Sequence, residues 1–196
     1  MAKKESTFAT MVITLSVVAL VAAGLLGSVY EVTKEPIRLA EIKKKNEAIQ
    51  SVIPNFDNTP SEDFMKYGVD GDSLVIYRAT SGGELTGLAV ETFTNNGFSG
   101  LFKLMVGFDT TGRILDVAVI SHSETPGLGD KMDSKKSDFH VQFMGKDPRE
   151  FKLMVKKDKG DVDAITASTI SSRAYCEAVQ RAYDALVATG SINNEN

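Results

Sequence analysis

Residues 73–93 read SLVIYRATSGGELTGLAVETF: two β-rich runs, 73–79 and 85–93, separated by Ser81-Gly82-Gly83-Glu84. A glycine pair at so short a connection signals a hairpin, because only glycine enters the left-handed backbone region without a Cβ penalty. The pattern repeats downstream. Residues 101–108 (LFKLMVGF) and 114–121 (ILDVAVIS) flank Asp109-Thr110-Thr111-Gly112-Arg113, again too short for the crossover that parallel strands need. The sheet is therefore expected to be an antiparallel meander. No GxGxxG run opens a helix, which also argues against a doubly wound dinucleotide fold.

Upstream, residues 55–72 mix Pro, Asp, Ser and Asn and read as a loop into the first strand. Downstream, residues 138–146 (DFHVQFMGK) read as a short aromatic helix or turn and 151–156 as a further strand. From Thr169 to Ala188, a stripe of Ile170, Ala174, Ala178, Val179, Ala182, Tyr183 and Leu186 predicts a helix, with Gly190 as its C-terminal cap. The fold class is α+β, with helices packed on an antiparallel sheet.

Residues 11–29, MVITLSVVALVAAGLLGSV, carry no charge over 19 positions. At about 1.5 Å per residue this nearly spans a bilayer core. The run exceeds the 7–15 apolar residues typical of a cleaved leader, although Val21-Ala22-Ala23 leaves cleavage as the alternative. Lys3 and Lys4 precede the run, so the positive-inside rule keeps the N-terminus cytoplasmic and places the following domain outside the inner membrane; Lys34 and Arg38 run against that orientation. Residues 31–52 are rich in Lys, Glu, Ala and Ile, with Pro36 near the start, and predict a juxtamembrane helix with a stripe of Ile37, Ile42, Ala48, Ile49 and Val52. Lys43, Lys44 and Lys45 read as a solvated face, with membrane lipid headgroups as the other reading. The expected organisation is an anchor over 1–30, a linker over 31–69, a domain over 70–190 and a tail over 191–196.

Beyond residue 30 the chain holds 20 basic and 25 acidic residues, which disfavours nucleic acid as a partner. A single cysteine, Cys176, precludes an intrachain disulfide or an iron–sulfur site built from this chain alone, and two histidines without a carboxylate cluster at ligand spacing give no metal site.

Just before and within the first turn of the last helix, Asp161 to Arg173 (DVDAITASTISSR) places five hydroxyls: Thr166, Ser168, Thr169, Ser171 and Ser172. One reading is helix capping by Ser168 or Thr169. The other is an anion site, because a helix start offers free N–H groups and a positive dipole end, with Arg173 adding charge.

Asp163, Thr166, Ala167, Ser168 and Thr169 resemble the flavinylation signature of the FMN-binding domains in Rnf and sodium-pumping quinone oxidoreductase complexes. The family more commonly has Gly-Ala where this chain has Ala167-Ser168. A second, distant stretch, Ser123-Glu124-Thr125-Pro126-Gly127-Leu128-Gly129, resembles the family's SETPGLG loop, and residues 96–100 (NGFSG) its glycine-aromatic loop. The resemblance spans about residues 70–188, and the chain's shortness resembles the G subunit of the Rnf complex more than the C subunit of the quinone pump.

The resemblance implies FMN esterified through its phosphate to Thr169. It also implies cofactor contacts from Glu124, Thr125, Gly127, Leu128, Lys131, Thr166, Ser168 and Ser171, and no catalytic residue on this chain. Implied partners are other subunits of a membrane redox complex, including a second flavin-bearing membrane subunit, and a flavin transferase during maturation, toward which Asp163 helps orient the hydroxyl. Rival readings are a flavin-binding sensor domain and an adhesion module whose hydroxyls only cap a helix.

Overall fold

The computed structural model describes residues 7–69 and 71–192. The N-terminal charges on which the orientation reading rests, together with Asp70 and residues 193–196, lie outside the described residues. The chain runs α1 (Phe8–Val52), β1 (Phe64–Val69), β2 (Asp72–Ser81), β3 (Glu84–Gly97), β4 (Gly100–Phe108), β5 (Ile114–Ser121) and α2 (Thr169–Ala188), with short 3-10 turns at Gly129–Met132, Phe139–Phe143 and Lys156–Asp158. It divides into two compact units, Met1–Lys43 and Lys44–Asn196.

In the first unit, α1 is long and apolar enough to cross a membrane. Leu15, Leu20 and Leu26 are each more than 70% exposed, which suits a lipid environment and no aqueous one. Pro36 does not mark a helix start as expected, but lies inside α1. Ile37 and Ile42 are exposed rather than part of a buried stripe.

The second unit is built on a five-stranded antiparallel meander in the order β1-β2-β3-β4-β5. The four expected strands fall within β2 to β5. Gly82 and Gly83 have φ of 60° and 85°, the mirror-image turn that matches strand twist. β1 forms where a loop was expected, pairing Phe64 to Tyr77 through Val69 to Asp72. Residues 151–156 form no strand and contribute one isolated bridge, Val155 to Val162.

Period-2 alternation sends residues to opposite faces of the sheet, and both faces are covered. Leu74, Ile76, Leu88, Val90, Leu104 and Val106 point into the larger core under α2. The intervening Tyr77, Ala79, Ala89 and Met105 meet Ala48, Ile49, Val52 and Ile53, the C-terminal end of α1 and its exit. Helix α2 is lashed to β3 by polar bonds: buried Thr92 donates to the Ala178 carbonyl at 3.0 Å, and Asn96 donates to Glu177 at 2.7 Å.

Lys45 is not a solvated lysine. Its ammonium lies 3.0 Å from Glu91 and 5.8 Å from the Tyr77 ring centre, while the Tyr77 hydroxyl donates to Glu91 at 2.9 Å. Burial, then the neighbouring Glu91 charge, pushes the Tyr77 phenol from its ordinary 10.0 to about 12. Burial also raises the fully buried Tyr175 well above 10.0 and the Cys176 thiol from 9.0 to about 12. Because these folded-state values lie above the unfolded ones, their protonated forms contribute stability that is complete below pH 9.0 and is lost as pH rises toward 12. In an alkaline titration, Tyr77 and Tyr175 are expected to ionise only above the ordinary phenol value of 10.0, with unfolding as they do so. Tyrosinate absorbance in which all tyrosines rise together near pH 10 in the folded chain would contradict this.

Candidate functional site

Three elements converge at the start of α2. They are the β3–β4 tip carrying Phe98, the loop after β5 that runs through Glu124 to Gly129, and residues 167–171. Together Phe98, Glu124, Thr125, Leu128, Gly129, Ala167, Ser168, Thr169, Ile170 and Ser171 line a cleft of about 300 Å³. Ligand pockets run from roughly 300 to 1,000 Å³, so this cleft suits part of a cofactor, with the rest reaching past its rim.

The hydroxyls at the helix start are not equivalent. Ser172 Oγ donates to the Ser168 carbonyl at 2.9 Å and accepts from the Ile165 N–H at 2.9 Å, which folds the preceding loop back onto the helix. Ser171 Oγ donates to Glu124 Oε2 at 2.8 Å. Thr166 is exposed and outside the cleft, and Ser168 is 7% exposed. Among the five hydroxyls at the helix start, only Thr169 combines a half-buried side chain, a position on the cleft wall and a hydroxyl without a hydrogen-bond partner among the described residues. The capping reading is not what the structure has: Ser168 occupies the N-cap position, yet its side chain makes no capping bond.

Ala167 has φ of +61°, a left-handed conformation that costs a residue with a Cβ roughly 1 kcal/mol or more. This gives a physical reason for glycine at the corresponding place in the resembling signature. Ala167→Gly is expected to stabilise the domain by roughly 0.5 kcal/mol, the strain relieved less the extra unfolded-state entropy of glycine. A chemical-denaturation midpoint below that of the parent would refute this.

Glu124 is 5% exposed. Its Oε1 accepts from the Ser99 N–H at 3.0 Å, opposite the Ser171 bond on Oε2. Its own N–H donates to His122 Nδ1 at 3.1 Å, which explains that histidine as a loop-shaping group.

Of the residues expected at the site, the structure brings Glu124, Thr125, Leu128, Ser168, Thr169 and Ser171 together on the cleft. Gly127 shapes the adjoining turn with φ of 79°, and Lys131 is exposed in the following 3-10 turn; neither lines the cleft, and nor does Thr166. Arg173 is turned away from the helix start and forms a two-pronged pair with Asp158 at 2.6 and 2.7 Å. Asp163 is exposed and paired with Lys156 at 2.7 Å, while its backbone N–H and carbonyl are both held by Gln142. Ile170 was expected in the buried stripe of α2, but as the second helical residue it lies 48% exposed on the cleft wall. Gly129 and Ala167, which belong to the two resembling motifs but were not among the expected cofactor contacts, also line it. The glycine-aromatic loop was the only signal for Phe98.

A larger groove of about 610 Å³ runs along α2, lined by Tyr67, Val69, Arg173, Cys176 and Arg181 among others. Its arginines are already bonded, Arg173 to Asp158 and Arg181 to Glu177, and its buried thiol is held protonated, so it offers no free nucleophile. The smaller cleft fits the group that the resemblance implies. It has apolar walls at Phe98, Leu128 and Ile170, a free hydroxyl at Thr169, and beside it the first N–H groups of α2, which suit a phosphate.

Residues 97–184 match the sequence profile of a family described as the FMN-binding domain. The segment contains every residue of the cleft. The chain is 37% identical over 181 residues to the G subunit of an ion-translocating oxidoreductase complex from Shewanella baltica (strain OS223), covering 86% of this chain and 84% of the relative. It is 36% identical to the protein of the same description from Shewanella oneidensis, with the same coverage. A third relative of that description, from Vibrio vulnificus (strain YJ016), is 34% identical over 178 residues, with 86% and 84% covered.

Proposed function

The chain belongs to the family formed by the G subunits of ion-translocating oxidoreductase complexes, and from that premise we propose that it is the electron-carrier subunit of a membrane-bound, Rnf-type redox complex, with FMN held covalently through its phosphate on Thr169. The observation that carries the attachment point is the sorting of hydroxyls. Ser171 and Ser172 are bonded within the fold, Thr166 lies outside the cleft and Ser168 is buried, which leaves Thr169 available at the helix start.

In this reading a flavin transferase delivers FMN from FAD. The Thr169 oxygen forms the new bond to phosphorus, the hydroxyl proton leaves, and AMP departs. The phosphodiester then sits at the positive end of the α2 dipole. Phe98, Leu128 and Ile170 supply apolar walls for the flat ring, Thr125 and Ser168 polar contacts, and Gly127 the turn that carries Leu128. FMN supplies one- or two-electron transfer, and the protein contributes position and environment.

The donors and acceptors are other subunits of the complex, including a second flavin-bearing membrane subunit. Helix α1 anchors the chain in the inner membrane, N-terminus cytoplasmic, with the sheet domain outside, where a dissociated FMN would be lost. That cost gives the covalent link its purpose.

The test is peptide mapping of the full chain produced with a flavin transferase. Trypsin releases residues 160–173, which contain all five hydroxyls. A mass increment of FMN less one water, assigned by fragmentation to Thr169, is expected. The increment on another residue, or none at all, would overturn the assignment.

A further inference from the structure

The two walls of the cleft come from separate parts of the chain. Phe98 belongs to the two-residue tip between β3 and β4, while Thr169 and Ile170 begin α2. Glu124, from the loop after β5, bonds both. Its Oε1 takes the Ser99 N–H at 3.0 Å and its Oε2 takes the Ser171 hydroxyl at 2.8 Å, so one buried carboxyl group spans from the tip to the first helical turn. Both oxygens act as acceptors, which only a carboxylate satisfies fully.

The surroundings are built to admit it. A Cβ added at Gly97 would lie 2.6 Å from Glu124 Oε1, and one added at Gly129 would collide with Glu124 Oε2 and come within 2.7 Å of Ser171 Oγ. Neither glycine has a positive φ, so turn geometry does not demand them. At Gly129 the space taken by the carboxylate does; at Gly97 the Gly100 carbonyl oxygen across the turn is the first atom an added Cβ would meet, with the carboxylate second.

We propose that Glu124 is a positioning residue: its carboxylate ties the β3–β4 tip to the start of α2 and thereby holds the flavin ring seated between Phe98 and Ile170. This inference rests on the reading that FMN is attached to Thr169. The strap acts after attachment, on how the tethered ring is held, and does not touch the ester itself. Without it, Phe98 and Ser99 lose their tie to the first turn of α2, although Asn96 stays bonded to Glu177 further along the helix, and Thr169 still carries the cofactor, so the flavin becomes attached but loosely held.

The experiment uses the full chain in detergent, purified from cells that also make a flavin transferase, in four variants: Glu124→Gln, Ser171→Ala, the double variant, and Thr92→Val. The last removes a different buried hydrogen bond between the sheet and α2, remote from the cleft. In-gel flavin fluorescence after denaturation reads attachment, and visible circular dichroism and fluorescence anisotropy of the bound flavin read seating. Glu124→Gln and Ser171→Ala are each expected to keep the in-gel label while losing most of the visible dichroism and lowering anisotropy, with the double variant no worse than either single. Thr92→Val is expected to lower thermal stability and leave the flavin spectra unchanged.

Wild-type spectra in both Glu124→Gln and Ser171→Ala would overturn the strap, as would additive losses in the double variant or loss of the in-gel label from either single. Should Glu124→Gln fail to fold, Ser171→Ala, which removes a single oxygen, carries the test alone. Absence of in-gel label from the wild-type chain would instead defeat the attachment reading.

Discussion

Thr169→Ala is expected to eliminate covalent flavin from the chain, whereas Thr166→Ala and Ser168→Ala are expected to retain it. The contrast follows from geometry rather than from the count of hydroxyls. Thr169 is the first residue of α2, half-exposed, and its oxygen bonds to nothing among the described residues. Removing that oxygen breaks no hydrogen bond, so the fold should lose no more than about 0.5 kcal/mol, the range of substitutions away from buried contacts. The loss of label would then be chemical, with no unfolding to confuse it. Ser168 is buried and Thr166 stands outside the cleft, so neither is expected to inherit the modification. The measurement is flavin fluorescence comigrating with the denatured chain, alongside a thermal melt of each variant. Undiminished fluorescence in Thr169→Ala would sink the assignment outright.

The strands were legible because their signals are local. Glycine pairs and Asp-Thr-Thr-Gly turns mark hairpins whatever lies around them, and α2 begins and ends at the residues its apolar stripe and Gly190 indicate. β1 escaped notice because it is an edge strand: only one neighbour pairs with it, Phe64 and Met65 remain exposed, and Gly68 dilutes its β pattern. Residues 151–156 have strand composition, but their backbone bonds go to the following loop, with Asp161 and Val162 donating to the Lys152 and Met154 carbonyls, so they join no strand of the sheet. At the site, the two loops and the acceptor segment could be found in sequence, since they are contiguous. The division of labour among the hydroxyls could not, because Ser171 is committed to Glu124, 47 positions away. Equally invisible was Ala167's left-handed backbone, which no alanine announces.

Gly107 is the other residue whose importance only packing reveals. A glycine inside a strand normally weakens it, and its presence marks a place where another backbone comes close. Here the close neighbour is the end of α1: a Cβ at Gly107 would collide with the Val52 carbonyl oxygen and lie 2.8 and 2.9 Å from Val52 C and Cβ. Gly87 clears the adjacent space, where an added Cβ would stand 3.2 Å from Ile53 Cγ2. With Ala79 and Ala89 they form a shallow saddle that receives Ile49, Val52 and Ile53, three buried side chains worth roughly 1.5–3 kcal/mol each in burial. Gly107→Ala would press a methyl group against main chain that has no rotamer with which to yield. The expected cost is about 3 kcal/mol or more, the upper end for overpacking, and a melting temperature lower by roughly 6–12 °C at about 2–4 °C per kcal/mol for a domain of this size. Gly68→Ala is the matched control, since nothing lies within 4 Å of a Cβ there; it should melt at or slightly above the parent temperature. If Gly107→Ala melted with Gly68→Ala, residues 48–53 would not pack on the sheet as closely as described, and the second core would have to be redrawn.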